Sequence, residues 1–411
     1  MAGEIFSRQA EFYPSDMTID EFENAVITNP ELTKFDTVVR RSPNRELIAM
    51  PFNQIYQSDY VDIISLLQKA YCLSESGNFK NYLESLCDCL HEGTTKSYQQ
   101  MQTAWLATRG YHLNFPFTYE ERYFDKLLKL KGSYNAALFI QDDALSSQLQ
   151  KPVEIRKDFV ATLNLPGGAA RLGKSFAAAY HTVNHQGLMA SMNLRAWCLP
   201  EDLFLKENVG SWQMMIKESM HTSFLNECLP MLNSIFPKEI KDLSQEELYR
   251  GMYWAIVMHE LSHDIGRYQD EGKLRKLSAI FEELKAYILP FQWFHFCREK
   301  DVCTDKIARS GMLAYLALNL VLYLNAKTDP QREDYGIASR LHFNYLSEAD
   351  ALKLLPGKIK IDFTNLYAAN MHMSQVILDI VSVGNLAQAQ QFMNKYGGIE
   401  KLERVFSNPD Y

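Results

Sequence analysis

Long stretches of this chain repeat apolar residues at close to a 3.6-residue period, and that pattern limits the fold more than any other feature. Across residues 60–73 the apolar positions are Val61, Ile63, Ile64, Leu66, Leu67 and Ala70, the spacing that turns one face of a helix towards a core. Residues 79–90 repeat it after the breaker Ser76-Gly77, and 248–266, 273–289, 310–324 and 363–383 are further long helical segments. Pro290, Pro330 and Pro356-Gly357 mark expected helix ends, because proline lacks the N–H that a helix interior needs. Strand signals are few. Only 159–165 (FVATLNL) and 358–363 (KIKIDF) alternate at period two. The expected class is mainly α with minor β, and 411 residues exceed what one core usually fills, so two lobes are expected.

Charge and targeting signals narrow the partners. Against 42 Lys and Arg stand 50 Asp and Glu, with no long run of either sign, so no basic stripe marks a nucleic-acid surface. Residues 1–10 mix charged, polar and apolar types rather than forming the apolar segment of a secretion signal. The longest apolar stretch, 311–326, is broken by Asn319 and is shorter than a membrane span of about 20 residues. It reads as a buried helix. The expectations are a cytoplasmic protein with no membrane and no nucleic-acid partner. Seven cysteines without CxxC spacing read as reduced thiols, not as a disulfide framework.

The chemistry concentrates in His259-Glu260-Leu261-Ser262-His263. Residues four apart on a helix stand one turn apart on one face, so both imidazoles can reach one ion while Glu260 leans towards the same place as a general base. Residues 252–258 are almost all apolar, and two histidines with a glutamate in a buried helix are costly without a partner. Gly266 offers a helix stop, and the next helical segment carries Phe281-Glu282-Glu283-Leu284-Lys285-Ala286. A catalytic zinc site takes three protein ligands and keeps one position open. Glu283, on a helix able to pack antiparallel to the first, can supply the third. Zn²⁺ is the expected cofactor.

With these residues in view, the chain resembles the dipeptidyl peptidase III family of zinc exopeptidases, especially its shorter, bacterial-type branch. HELSH followed by Glu282-Glu283-Leu284-Lys285-Ala286 resembles the family's HExxH or HExxGH helix and its EExxA helix, which implies His259, His263 and Glu283 as ligands. Glu121-Arg122-Tyr123-Phe124-Asp125 resembles the ETYED segment. The resemblance assigns Glu121 to the substrate's free amino terminus and Tyr123 to its carbonyl. Leu163-Asn164-Leu165-Pro166 resembles the N-[IL]-P-N loop, giving Asn164 to the substrate backbone, with Gly167 where a second asparagine is expected. Arg340-Leu341-His342 stands in the order of the family's transition-state histidine, ahead of His372 in Met371-His372-Met373. The implied architecture is a two-lobed zincin-like peptidase with its cleft between the lobes. One peptidase unit would span 1–411, with one lobe near 1–165 plus parts of the C-terminal region and a zinc-binding helical lobe near 166–345.

The sequence also departs from the family pattern. Tyr287 replaces the acidic residue that ends the EExxA motif, so a hydrogen bond to a ligand histidine is missing or rebuilt. Asp264 stands where glycine is usual, and the chain is shorter than the full-length enzymes. The implied activity is zinc-dependent hydrolysis of peptides near a free N-terminus. The alternatives are a zinc hydrolase of another or very specific substrate on the same scaffold, and an inactive peptide-binding protein. Residues 168–175 (GAARLGKS) match the spacing of a phosphate loop between a strand candidate and a helix-like Ala run, though strands are too few for a nucleotide-binding sheet. His181, His185, His221 and His295 read as solvent-facing or core histidines.

Overall fold

The computed structural model describes residues 12–75, 77–122, 124–125, 127–192 and 194–407. By contacts it divides into two units. The first holds Met1–Gln141, Thr182–Asn193 and Pro200–Leu205, and the second holds Asp142–His181, Leu194–Leu199 and Lys206–Tyr411. The C-terminal region belongs to the second unit, where the sequence suggested the first.

In the first unit, strands β1 (Thr37–Arg41) and β2 (Leu47–Pro51) form an antiparallel hairpin. Helices α1 (Gln57–Leu73), α2 (Asn78–Glu92) and α3 (Thr95–Leu106) follow, all on expected segments or beside them. Helix α2 buries Tyr82, Leu83, Leu86, Cys89 and Leu90 and ends at Gly93, whose φ of 59° suits a left-handed cap. Thr94 and Ser97 then open α3 with a reciprocal capping box. The short β3 (Leu113–Asn114) and β4 (Phe117–Glu121) each run antiparallel to β5 (Ser133–Asp142).

Beside Glu121, Glu120 is buried and accepts a hydrogen bond from the Glu201 amide at 3.1 Å. Burial, reinforced by the Glu201 charge, pushes its carboxyl up to about 7. A raised carboxyl binds its proton more tightly in the folded chain, so it contributes stability below the unfolded value that is lost as pH rises through about 7. Glu120→Gln keeps the acceptor and removes the charge. The variant is expected to be about 3 kcal/mol more stable than wild type near pH 8 and equal to it near pH 4. Urea unfolding at both pH values checks this, and an equal stability at pH 8 would refute it.

The second unit is built on five long helices preceded by a small sheet. Helix α4 (Arg156–Thr162) occupies most of the segment expected to be a strand. The apolar run was too short for its period to decide: Phe159 stacks on Trp293 at 4.0 Å, and that packing selects the helix. β6 (Ser175–Gly187) begins where a helix-like Ala run was expected, so residues 168–175 follow a helix and lead into a strand. A phosphate loop needs the reverse order, and that reading is withdrawn. Residues 175–180 of β6 run parallel to β8 (Ser211–Ile216), which pairs antiparallel with β7 (Ala196–Leu199).

Helix α5 (Gln245–His263) opens with a capping box between Ser244 and Glu247, and α6 (Leu277–Glu299), α7 (Asp305–Asn325) and α8 (Glu333–Glu348) follow. After the hairpin of β9 (Leu352–Leu355) and β10 (Lys358–Ile361), α9 (Phe363–Val383) packs back on α6. Helices α5 and α7 approach closely at Gly251 and Gly311, where a Cβ on Gly251 would lie 2.4 Å from the Gly311 nitrogen. By length and composition α7 could cross a membrane, yet 78% of its apolar window is buried in the unit. Pro290, expected to end a helix, lies inside α6, which runs nine residues beyond it. The residues on both sides are buried. Tertiary packing offsets a break that would cost an isolated helix about 3 kcal/mol.

Candidate metal centre

The last turn of α5 carries His259, Glu260 and His263, and α6 passes beside it with Glu282 and Glu283. Gly266, at a φ of 60°, turns the chain after α5; a Cβ there would sit 2.5 Å from Leu378. The two histidine Nε2 atoms face each other at 3.1 Å, and the Glu283 Oε2 is 3.7 Å from that of His259. Glu260 Oε1 lies 4.0 Å from the same nitrogen. Among the described residues, His259, Glu260 and His263 form the one His/Cys/Asp/Glu group close enough to share a metal ion.

Each ring is held from behind. His263 Nδ1 donates to Glu282 Oε1 at 2.9 Å. Burial alone would raise the Glu282 carboxyl, but Lys285 at 3.0 Å and Arg267 at 3.4 Å, with His263 itself, hold it well below the usual range. It is therefore a charged anchor. His259 Nδ1 lies 2.7 Å from the Tyr315 hydroxyl and 3.2 Å from the Ala286 carbonyl oxygen. With a proton on each Nδ1, both Nε2 lone pairs point at the same spot.

Two imidazole nitrogens facing each other at 3.1 Å need a shared proton or a cation between them, and zinc bound tetrahedrally holds such nitrogens about 3.3 Å apart. Glu283 agrees. Its Oε2 is buried without a hydrogen-bond partner, and burial, with the Glu282 and Glu260 charges, pushes the carboxyl up to about 8. The surroundings also draw positive charge onto His263: burial opposes it, yet Glu282 and Glu283 raise it to about 9. His259, buried beside it, is driven well below its usual value by burial and then by His263. The donor set fits Zn²⁺, with one buried carboxylate and two imidazoles.

The other expected residues fall unevenly. Asn164 is exposed just after α4. Its loop is tied to the chain leaving α5 by Tyr268 donating to the Pro166 oxygen at 3.1 Å and the Ala170 amide donating to the Arg267 oxygen at 2.7 Å. Glu121 ends β4 in the first unit, buried, and Tyr123 lies outside the described residues. His342 is fully buried on α8. Its Nε2 donates to Asn370 Oδ1 at 2.7 Å, and its ring packs on Phe291. Its other ring nitrogen, Nδ1, is buried without a hydrogen-bond partner. His372, the competing histidine, is exposed on α9 and meets the Tyr345 hydroxyl. His181 pairs with Glu218 at 2.6 Å.

Three residues that bear on the centre were not read from the sequence. Tyr315 was hidden in an apolar run, and Glu282 was visible only as half of the EE pair. Asp264, noted only as a departure, is buried against Arg156 at 3.0 Å, Lys206 at 3.5 Å and Gln213 at 3.2 Å, and accepts from the Ser211 hydroxyl. It ties the end of α5 to β8.

No family model matches the chain. Nudix hydrolase 3 of Arabidopsis thaliana is 23% identical over a 447-residue alignment that takes in 96% of this chain. The chain spans 56% of that relative's length. Among solved structures, DPP III from Caldithrix abyssi superposes with a TM-score of 0.79 at 23% identity, covering 97% of this chain and 77% of that one. Dipeptidyl-peptidase III from Corallococcus sp. strain EGB superposes with a TM-score of 0.84 at 20% identity, covering 97% and 76%. A mainly helical chain in two compact units, with its HExxH helix beside an EExxA helix, this protein has the fold of dipeptidyl-peptidase III.

Proposed function

We propose that this protein is a zinc-dependent exopeptidase that hydrolyses peptide bonds near a free N-terminus. The observation that carries the reading is the facing pair of His259 and His263 Nε2 atoms, with the buried Glu283 Oε2, which has no hydrogen-bond partner, 3.7 Å from that of His259. Zn²⁺ held by His259, His263 and Glu283 would supply a Lewis acid that polarises the scissile carbonyl and acidifies water. Glu260 takes the proton of the attacking water and passes it to the leaving amine. Glu121 holds the substrate ammonium and Asn164 its backbone, which fixes the cut at a set distance from the free end. Tyr123 donates a hydrogen bond to the developing oxyanion.

The test is a panel of fluorogenic peptides with free and acetylated N-termini, assayed with zinc-loaded protein. Cleavage restricted to free-amine peptides supports the reading, and the released fragment gives the register. Equal cleavage of both sets would contradict it. A second reading is a zinc hydrolase acting on another bond. It is favoured by Gly167, where open space replaces the second asparagine of the motif. It would show zinc binding with no peptide cleaved.

A further inference from the structure

Pro290 has no N–H, so the Ala286 carbonyl one turn earlier in α6 has no helical donor at the usual position. That carbonyl is turned to use. It accepts from the Tyr315 hydroxyl of α7 at 3.2 Å, and the same hydroxyl lies 2.7 Å from His259 Nδ1. One arrangement satisfies every atom: His259 Nδ1–H donates to the Tyr315 oxygen, and the Tyr315 O–H donates to Ala286. Nδ1 is also 3.2 Å from that carbonyl, so the three groups close a triangle.

Tyr287, in the position where the motif ends with an acid, does not do this work. Its hydroxyl is buried without a hydrogen-bond partner, and its ring only lies against His259 with centroids 5.6 Å apart. We infer that Tyr315 and the Ala286 carbonyl released by Pro290 position His259 for the metal, in place of the acid missing at 287. The inference rests on the zinc reading. It makes the two ligand histidines unlike: His263 is backed by a charged carboxylate, His259 by a neutral phenol and a carbonyl. A neutral partner of His259 fixes the same tautomer without adding a further carboxylate beside Glu260, Glu282 and Glu283.

Removing the outer partner of a ligand histidine commonly weakens metal binding about 10–100-fold. Zinc dissociation constants would be measured on the metal-free full chain by competition with a chromophoric chelator, for wild type, Tyr315→Phe and Pro290→Ala. Cobalt(II) absorption spectra and melting temperatures of the metal-free proteins would be taken in parallel. Tyr315→Phe is expected to bind zinc about 10–100-fold more weakly, with a shifted cobalt spectrum. Pro290→Ala returns a donor to the Ala286 carbonyl. It is expected to weaken zinc binding while the metal-free protein melts no lower than wild type, a split that loss of packing would not produce. Zinc affinities within about twofold of wild type in both variants would overturn the positioning role. A wild type that takes up no zinc would overturn the zinc reading itself.

Discussion

Replacing Glu260 with glutamine is expected to lower peptide hydrolysis by on the order of 10²–10⁴-fold, the range a positioned general base commonly supplies. Glutamine keeps the shape of a side chain that is only 8% exposed, and the proposed zinc ligands are left in place. Zinc content and KM should therefore stay near wild type while kcat falls, the pattern of an interaction made only in the transition state. Steady-state kinetics on the best free-amine peptide, with metal analysis of the same sample, measures both. A variant with kcat within tenfold of wild type would show that Glu260 is not the base. A variant that loses its zinc would show that its role is structural.

The second large effect is on stability. Asp264 is a buried carboxylate facing the Arg156 guanidinium and the Lys206 ammonium, and both cations are themselves buried. Burial would raise its carboxyl, but Lys206 and then Arg156 hold it below the usual value. Asp264→Ala removes the carboxylate that faces two cations sealed from water, and breaking a buried pair this way costs about 3–5 kcal/mol. The melting temperature should fall by roughly 5 °C. Asp264→Asn retains acceptors for Ser211 and Gln213 and should cost less. Because Asp264 follows His263 directly, zinc binding should weaken in the alanine variant as the end of α5 loosens. Urea unfolding that shows a loss below about 1 kcal/mol would mean the network is not buried as described.

Much of this was legible in the sequence, for identifiable reasons. Helices α1, α2, α5, α7 and α9 were read from apolar period because each presents a continuous stripe or a buried cylinder to a core. His259, Glu260 and His263 were legible because one helix carries them, so spacing alone sets their geometry. Glu283 required a partner helix, and its motif supplied that. Where the reading failed, tertiary packing overrode local signals. Phe159 chose a helix because Trp293 waited beside it, and Pro290 was absorbed because Tyr315 and His259 took up the carbonyl it released. The Ala run of 177–179 became β6 beside β8, since alanine suits any close-packed element and its period says little. Tyr315 and Asp264 act across more than 50 residues of sequence, a distance no local pattern spans. The substitution at Tyr287 was the one visible sign that the support of His259 had been rebuilt elsewhere.

The central claim is that His259, His263 and Glu283 form one zinc site, and counting bound zinc tests it most directly. Protein purified in the presence of zinc and then freed of loose metal would be assayed by mass spectrometry of the metal, alongside His263→Ala and Glu283→Gln. The account predicts one tightly held zinc per wild-type chain and its loss from both variants. A wild type without stoichiometric zinc, or variants that retain it, would contradict the account.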